Sequence, residues 1–574
     1  MSNRSISRKK RIFIPESFEL TDWPSLESWY SELVNQEIKD TTAFEIWLKQ
    51  KSELDSYVSE NMAWRYIHMT CDTTDAEAKK NFEFFVEEIQ PKLAPISDVL
   101  NQKTLALFEQ FPIQNPAYTI MIRSLQKAVE IFREENIPLE TAVQQKQSEY
   151  QAIMGSMSIH HKGEDITMPK AASYLQNLDR TEREEVWQKI RERRAQEKNA
   201  LNAIFDELVK LRTQIAKNAG FANFRDYMFA AMGRFDYTPA DCFAFHDSVE
   251  KAVVPILDTI MQKRSEKLAI SPLKPWDLAV DIEQKAALEP FQTADELLDK
   301  TEKCFTAIDP KIAEYIQTMR AMGHFDLSSR KGKAPGGYNY PLEEIGVPFI
   351  FMNATNTLRD VVTMVHEGGH AIHSFEVRNL PLNSFRNPTM EVAELASMAM
   401  ELISMEHWDA YFENKGELKR AKSQHLTDIL TTLPWIMTVD KFQHWIYENP
   451  EHTLAEREAQ WLSIYEDFSD KIVDWTGLEA VKTNAWHKQL HIFEVPFYYI
   501  EYGMAQLGAI SVWRNYKQNP AKGFAAYIKA LQLGYTKTIG EIYEAANIKF
   551  DFSENYISDL MDFVKEQMDI INKD

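Results

Sequence analysis

At 574 residues the chain is too long for one ordinary compact domain and long enough to bury a large core. Its 64 Lys and Arg face 86 Asp and Glu, and the net charge of −22 argues against nucleic acid or an anionic membrane as partner. Three separated cysteines (Cys71, Cys242, Cys304) make neither a disulfide framework nor a CxxC site, no apolar run reaches the length of a membrane span, and no apolar segment follows the basic Arg8-Lys9-Lys10-Arg11 to make a signal peptide, so a soluble cytoplasmic protein is expected.

Apolar residues recur mostly with the 3.6-residue period of helices, and the expected fold class is mainly α-helical. Residues from about 20 to 150 read as a helical block. The periodicity lapses at Gly155–Pro169 into a loop or short hairpin around Gly163-Glu164-Asp165, which suggests a boundary between an N-terminal helical region, 1–170, and a second region, 171–574, that carries the motifs described below. Helices resume at Asp179 and run to about 325, interrupted at Ser271–Pro275. Of the 18 glycines, six (332, 336, 337, 346, 368, 369) lie in 332–369, marking the one clearly non-helical stretch. There, turns at 330–338 lead into an apolar run, Val347-Pro348-Phe349-Ile350-Phe351-Met352, that predicts a short strand, with Pro348 favouring a sheet edge.

From Thr357 the pattern is helical again. Thr357 with Asp360 three residues on makes a capping box, and Leu358, Val361, Val362, Val365 and Ile372 supply a buried stripe. This helix carries His366-Glu367-Gly368-Gly369-His370. Two imidazoles one turn apart share a face and can hold Zn²⁺, leaving Glu367 to handle the proton of the attacking water. Gly368 and Gly369 are each costly inside a helix, by about 1 kcal/mol against Ala, so their presence suggests that something approaches the backbone closely.

A catalytic zinc takes three protein ligands. The metzincin pattern is excluded, because His373 and Glu376 stand where it has Gly and His. The third ligand is sought in the apolar helix Met390–Ser404, which carries Glu391, Glu394 and Glu401; acids on so apolar a helix need a cation or hydrogen-bond partners if buried. Spacing alone does not choose between Glu391 and Glu394. Farther on, 486–502 gathers His487, His491, Tyr498, Tyr499 and Tyr502, side chains able either to donate to a developing oxyanion or simply to pack. His373, one turn past His370, reads either as a support for the ligands or as packing, with packing favoured. His160-His161 show no carboxylate partner, and the charged helix faces at 182–198 and 416–422 read as solvated.

His366–His370, the downstream Glu391-Val392-Ala393-Glu394-Leu395-Ala396-Ser397 and the aromatic run near 498 resemble the thimet oligopeptidase superfamily, specifically its oligoendopeptidase F branch. Lys274–Leu278, Arg330–Tyr338, Asp440–Tyr447 and Ala530–Gly534 extend the likeness, strong over about 180–560. The branch usually shows Gly-Gly-Ser where this chain has Gly534-Tyr535-Thr536.

The resemblance implies Zn²⁺, one per chain, on His366, His370 and Glu394; Glu391 and Glu401, on the same helix as Glu394, are expected to support the ligands. It implies His491 and Tyr502 as stabilisers of the oxyanion, at a spacing one residue off the family's, with Tyr498 and Tyr499 as further substrate contacts. It also implies a two-lobed helical fold around a deep channel, with a small β-sheet beside the HExxH helix. The expected activity is a zinc metalloendopeptidase cutting short unfolded oligopeptides, with the strand at Val347–Asn353 pairing with the substrate backbone. A peptidyl-dipeptidase or carboxypeptidase with the same site, and a catalytically dead peptide-binding protein, are the rival readings.

Overall fold

In the computed structural model, which describes residues 5–573, helices dominate and the strands are few and short. Hairpin β1–β2 (Ser158–His161, Glu164–Thr167) falls where the periodicity lapses, turning through Lys162 and Gly163, both at positive φ. A second sheet runs in the order β3 (Phe325–Ser328), β5 (Phe349–Ala354), β4 (Tyr338–Tyr340), with β5 parallel to β3 and antiparallel to β4. The expected edge strand is therefore the central one. Pro348 precedes β5 and so removes no ladder hydrogen bond, while both edges of β5 are already paired. Pairing of substrate with that strand is excluded, and β4 is an outer strand instead.

The helical interruption after residue 268 is longer than expected. Apart from one 3₁₀ turn, Pro275–Asp277, no helix forms until Ala294. The two histidines beside the hairpin do have carboxylate partners: His160 Nδ1 lies 2.9 Å from Asp165 Oδ1, and buried His161 lies 2.9 Å from Glu182 Oε1. Both partners are set by tertiary structure or hairpin pairing rather than by helical spacing. The 182–198 face is not wholly solvated either, since Arg183 is buried against Asp277 at 2.9 Å.

The chain forms two compact units, each assembled from three stretches. One comprises the described residues up to Phe132 with Glu289–Ala421 and Ala505–Phe550. The other comprises Arg133–Leu288, Lys422–Met504 and residues from Asp551 on. These units are interleaved along the chain, and the chain passes between them both in loops, as at 288–289 and 550–551, and within helices, as at 421–422 and 504–505. The first unit has a large core built on Leu26, Phe44, Trp47, Leu54 and Leu100, and a smaller one joining Ala63 and Ile67 to Phe349 and Phe351 of β5. The second has satellite cores under the hairpin and around Leu273 and Val473. No described helix is long and apolar enough to cross a membrane.

Candidate active site

The HExxH helix, Leu358–Val377, opens on the capping box expected from sequence: Asp360 accepts from the backbone N–H and hydroxyl of Thr357. Its apolar stripe packs on the helix Met390–Met405, where Glu391, Glu394 and Glu401 are all buried. The two glycines explain how closely. A methyl group on Gly369 would stand 2.6 Å from both the carbonyl oxygen of Ala396 and the Cα of Ser397. The second helix thus passes backbone to backbone at the turn between the histidines. At Gly368 the near neighbour is a side chain, Phe305, whose Cζ would lie 2.8 Å away.

That approach brings Glu394 to both imidazoles. Its Oε2 lies 3.4 Å from His366 Nε2 and 3.8 Å from His370 Nε2, and one donor atom from each of the three residues falls within 4.8 Å of the others. The donor set, two imidazoles and a carboxylate, is one that suits catalytic zinc. Ser397, one turn along, donates its hydroxyl to Glu394 Oε2 at 3.1 Å. On its other side His366 donates Nδ1–H to Glu401 Oε1 at 2.6 Å, which fixes the ring and leaves Nε2 for a metal. Glu391 is almost fully buried on the same helix. His373 is buried, and that burial, with His370 nearby, pulls its pKa down to about 4, as suits a packed neutral ring.

Electrostatics separate the roles. Burial would depress the His366 pKa, but its hydrogen bonds to Glu394 and Glu401 outweigh that and raise it well above the ordinary value. His370 lacks such a hydrogen bond, and burial lowers it to about 4, so its ring is neutral and able to bind a cation. Burial lifts the Glu367 carboxyl to about 7; His366 opposes the rise while Glu394 and Glu401 add to it. Asn339 of β4 donates to the backbone carbonyl of Glu367 at 3.1 Å, tying the sheet to the turn between the two histidines.

In the second unit, His491, Tyr498, Tyr499 and Tyr502 form one half-buried aromatic group. The Tyr502 ring lies 5.9 Å from His491, 5.2 Å from Tyr498 and 5.6 Å from Tyr499. The turn before Tyr498 is held in place. Phe497 takes a positive φ of 68°, its N–H donates to Gln443, and its carbonyl accepts from Arg234, which pairs at 2.8 Å with buried Glu501.

Two residues missed in the sequence define the His491 tautomer. The Trp435 indole, a donor only, gives its N–H to Gln489 Oε1 at 2.9 Å, so the Gln489 amide nitrogen faces His491 Nδ1 at 2.6 Å and donates to it. Nδ1 is then the acceptor, and the neutral ring carries its hydrogen on Nε2. Sequence spacing offered no signal for Trp435, which lies 54 residues before Gln489. His487, by contrast, is buried against Trp486 and bonded to Asn202.

Residues 173–562 match peptidase family M3, and residues 13–132 match the peptidase M3 N-terminal domain. An oligoendopeptidase F homolog of Borreliella burgdorferi is 24% identical over 63% of this chain and 61% of its own length. Oligopeptidase PepF of Bacillus subtilis is 20% identical over 62% of this chain and 54% of its own. The sequence matches thus span about half to three-fifths of these relatives. The solved structure of PZ peptidase A with an inhibitor superposes with a TM-score of 0.88 at 25% identity, covering 96% of this chain and 98% of that one. Oligoendopeptidase-F from Enterococcus faecium, at 14% identity and a TM-score of 0.64 over 96% of this chain and 97% of its own, shares the fold. With the family match spanning most of its length, the chain belongs to peptidase family M3, in the oligoendopeptidase F branch.

Proposed function

We propose that this protein is a zinc-dependent endopeptidase that hydrolyses internal bonds of short, unfolded oligopeptides, with one catalytic zinc held by His366, His370 and Glu394. The observation that carries the reading is the convergence of both imidazole Nε2 atoms on one buried carboxylate oxygen of Glu394, at 3.4 and 3.8 Å. A zinc ion supplies Lewis-acid polarisation of the scissile carbonyl and of the attacking water.

The protein side chains divide the remaining work. Glu367 takes the proton of the attacking water and returns it to the leaving amine; a carboxyl near 7 is well matched to such two-way traffic. Tyr502 and His491, through its Nε2–H, donate to the developing oxyanion, and Tyr498 and Tyr499 contact the substrate beside them. Glu401 holds His366 in its metal-binding tautomer, and Glu391 supports the same face. Strand β4, an outer strand tied to the catalytic turn through Asn339, offers the edge along which a peptide backbone pairs with little sequence demand.

We assign the zinc-binding chemistry to the region after residue 170 and place the protein in the cytoplasm, a setting that suits three cysteines of which none forms a disulfide among the described residues. The decisive test combines metal analysis with mass-spectrometric mapping of cleavage in an end-blocked peptide mixture. Internal cuts by a zinc-containing sample are expected. Cuts confined to one terminus, or a folded chain with no affinity for zinc, would refute the assignment.

A further inference from the structure

Within Asp440-Lys441-Phe442-Gln443-His444, singled out in the sequence, Gln443 holds the turn before Tyr498, but Asp440 and His444 belong to a separate buried polar group of the second unit. Cys242 and His246 stand four apart on the helix Pro239–Ala252, and Asp440 and His444 stand four apart on the helix Lys415–Glu448. Each pair therefore shares one face of its helix. None of the four exceeds 1% exposure.

Their geometry is that of donors gathered around a point. Asp440 Oδ2 lies 2.8 Å from His246 Nε2 and 3.2 Å from His444 Nε2. Cys242 Sγ, a carboxylate oxygen of Asp440 and a ring nitrogen of His444 all fall within 4.8 Å of one another. Only the His246 contact is a hydrogen bond. Asp440 Oδ1, His246 Nδ1 and both ring nitrogens of His444 have no hydrogen-bond partner among the described residues. Buried polar atoms in such number need another occupant. A buried carboxylate flanked by imidazoles and a thiol calls for a cation.

We propose that Cys242, Asp440 and His444 form a second metal site, built for a zinc-class divalent ion and distinct from the catalytic one. His246 acts as a positioning residue: its Nε2–H donates to the ligating carboxylate and orients it. A mixed thiolate, imidazole and carboxylate set favours Zn²⁺ or Co²⁺ over Mg²⁺ or Ca²⁺. Binding requires the Cys242 thiol to release its proton to solvent as the sulfur becomes a ligand. Burial closes the site to substrate, so its role is to clamp the two helices and the core between them. The inference does not depend on the catalytic reading, since no residue is shared.

Cobalt substitution tests it, because a thiolate-to-Co²⁺ charge-transfer band in the near ultraviolet cannot come from His366, His370 and Glu394. The full chain is expressed in cobalt-supplemented medium, so that a buried site fills as the protein folds, and its absorbance and metal content are measured. The wild type should show the band and carry about two ions per chain, one catalytic and one clamped. His370→Ala should keep the band with about one ion remaining. Cys242→Ser should lose the band and one ion, while Cys71→Ser and Cys304→Ser keep both. A wild type with no band and at most one ion, lost in His370→Ala, would overturn the proposal and leave a metal-free His246–Asp440–His444 network. A band that survives Cys242→Ser or vanishes with Cys71→Ser or Cys304→Ser would overturn it as well.

Discussion

His366 Nδ1 lies 2.6 Å from Glu401 Oε1, on the side of the ring away from Glu394. One imidazole is thus gripped by two acids seven residues apart on a single helix, one at its Nδ1 and the other facing its Nε2. Glu401→Gln should keep the fold and weaken zinc affinity roughly 10–100-fold, the usual effect of losing such a support. Glu394→Ala should weaken it further, because it removes a ligand. Competition with a zinc-binding dye ranks them, and a Glu394→Ala protein that binds zinc as tightly as the wild type would remove Glu394 from the ligand set.

Glu367→Gln preserves size and removes the basic oxygen. Turnover should fall by at least ~10²–10⁴-fold while zinc content stays unchanged. In the wild type, activity should decline as pH falls below about 7 and the carboxyl takes up a proton. Near-normal turnover in a zinc-loaded Gln variant would show that another group takes the proton.

The two glycines between the histidines make a paired stability prediction. Gly369→Ala drives a methyl into the Ala396 carbonyl and Ser397 Cα, backbone atoms that cannot step aside, so the helices must part. A loss of ~1–3 kcal/mol, with zinc affinity falling alongside, is expected. Gly368→Ala meets the tip of the buried Phe305 ring, a side chain rather than backbone, and gains ~1 kcal/mol of helix propensity against that contact, so its loss should be smaller. Equal thermal shifts in the two variants would mean that the helix contact is not the constraint.

The HExxH helix, its cap and its buried stripe were legible because each depends on spacing within one element. So was the sense of Gly368 and Gly369, whose cost in a helix implied a close approach, though not which helix approaches. Glu394 needed the family likeness, since Glu391 and Glu394 both suit the spacing rules. The central place of β5 was hidden because strand order depends on partners distant in sequence, and Pro348 marked the strand's start rather than its edge.

His487 gives the second unit a pH dependence. Burial, with Lys198 and Arg457 acting in the same direction, lowers its pKa from 6.5 to about 3. The unfolded chain takes up a proton as pH falls below about 6.5, whereas the folded chain refuses it until about 3. The stabilising contribution is therefore complete above 6.5 and is lost progressively towards 3. Denaturant unfolding at pH 7 and pH 4.5 should show a smaller pH penalty in His487→Gln than in the wild type. An identical penalty in both would mean that His487 titrates normally in the fold.

The Trp435–Gln489–His491 relay predicts a coupling between residues that differ in role. Trp435 fixes the Gln489 amide, the amide nitrogen occupies His491 Nδ1, and the ring hydrogen is thereby kept on Nε2, the atom that the proposed function uses as a donor. His491→Phe removes that donor and should lower kcat by ~10²-fold or more. Gln489→Met leaves the ring free to carry its hydrogen on either nitrogen, so only part of the population is competent and kcat should fall by a smaller factor with KM little changed. Because Gln489 acts only through His491, the double variant should be no slower than His491→Phe alone. Single-turnover measurements on the four proteins of this cycle provide the comparison. If the two losses multiply, Gln489 has its own contact with substrate and the tautomer argument fails.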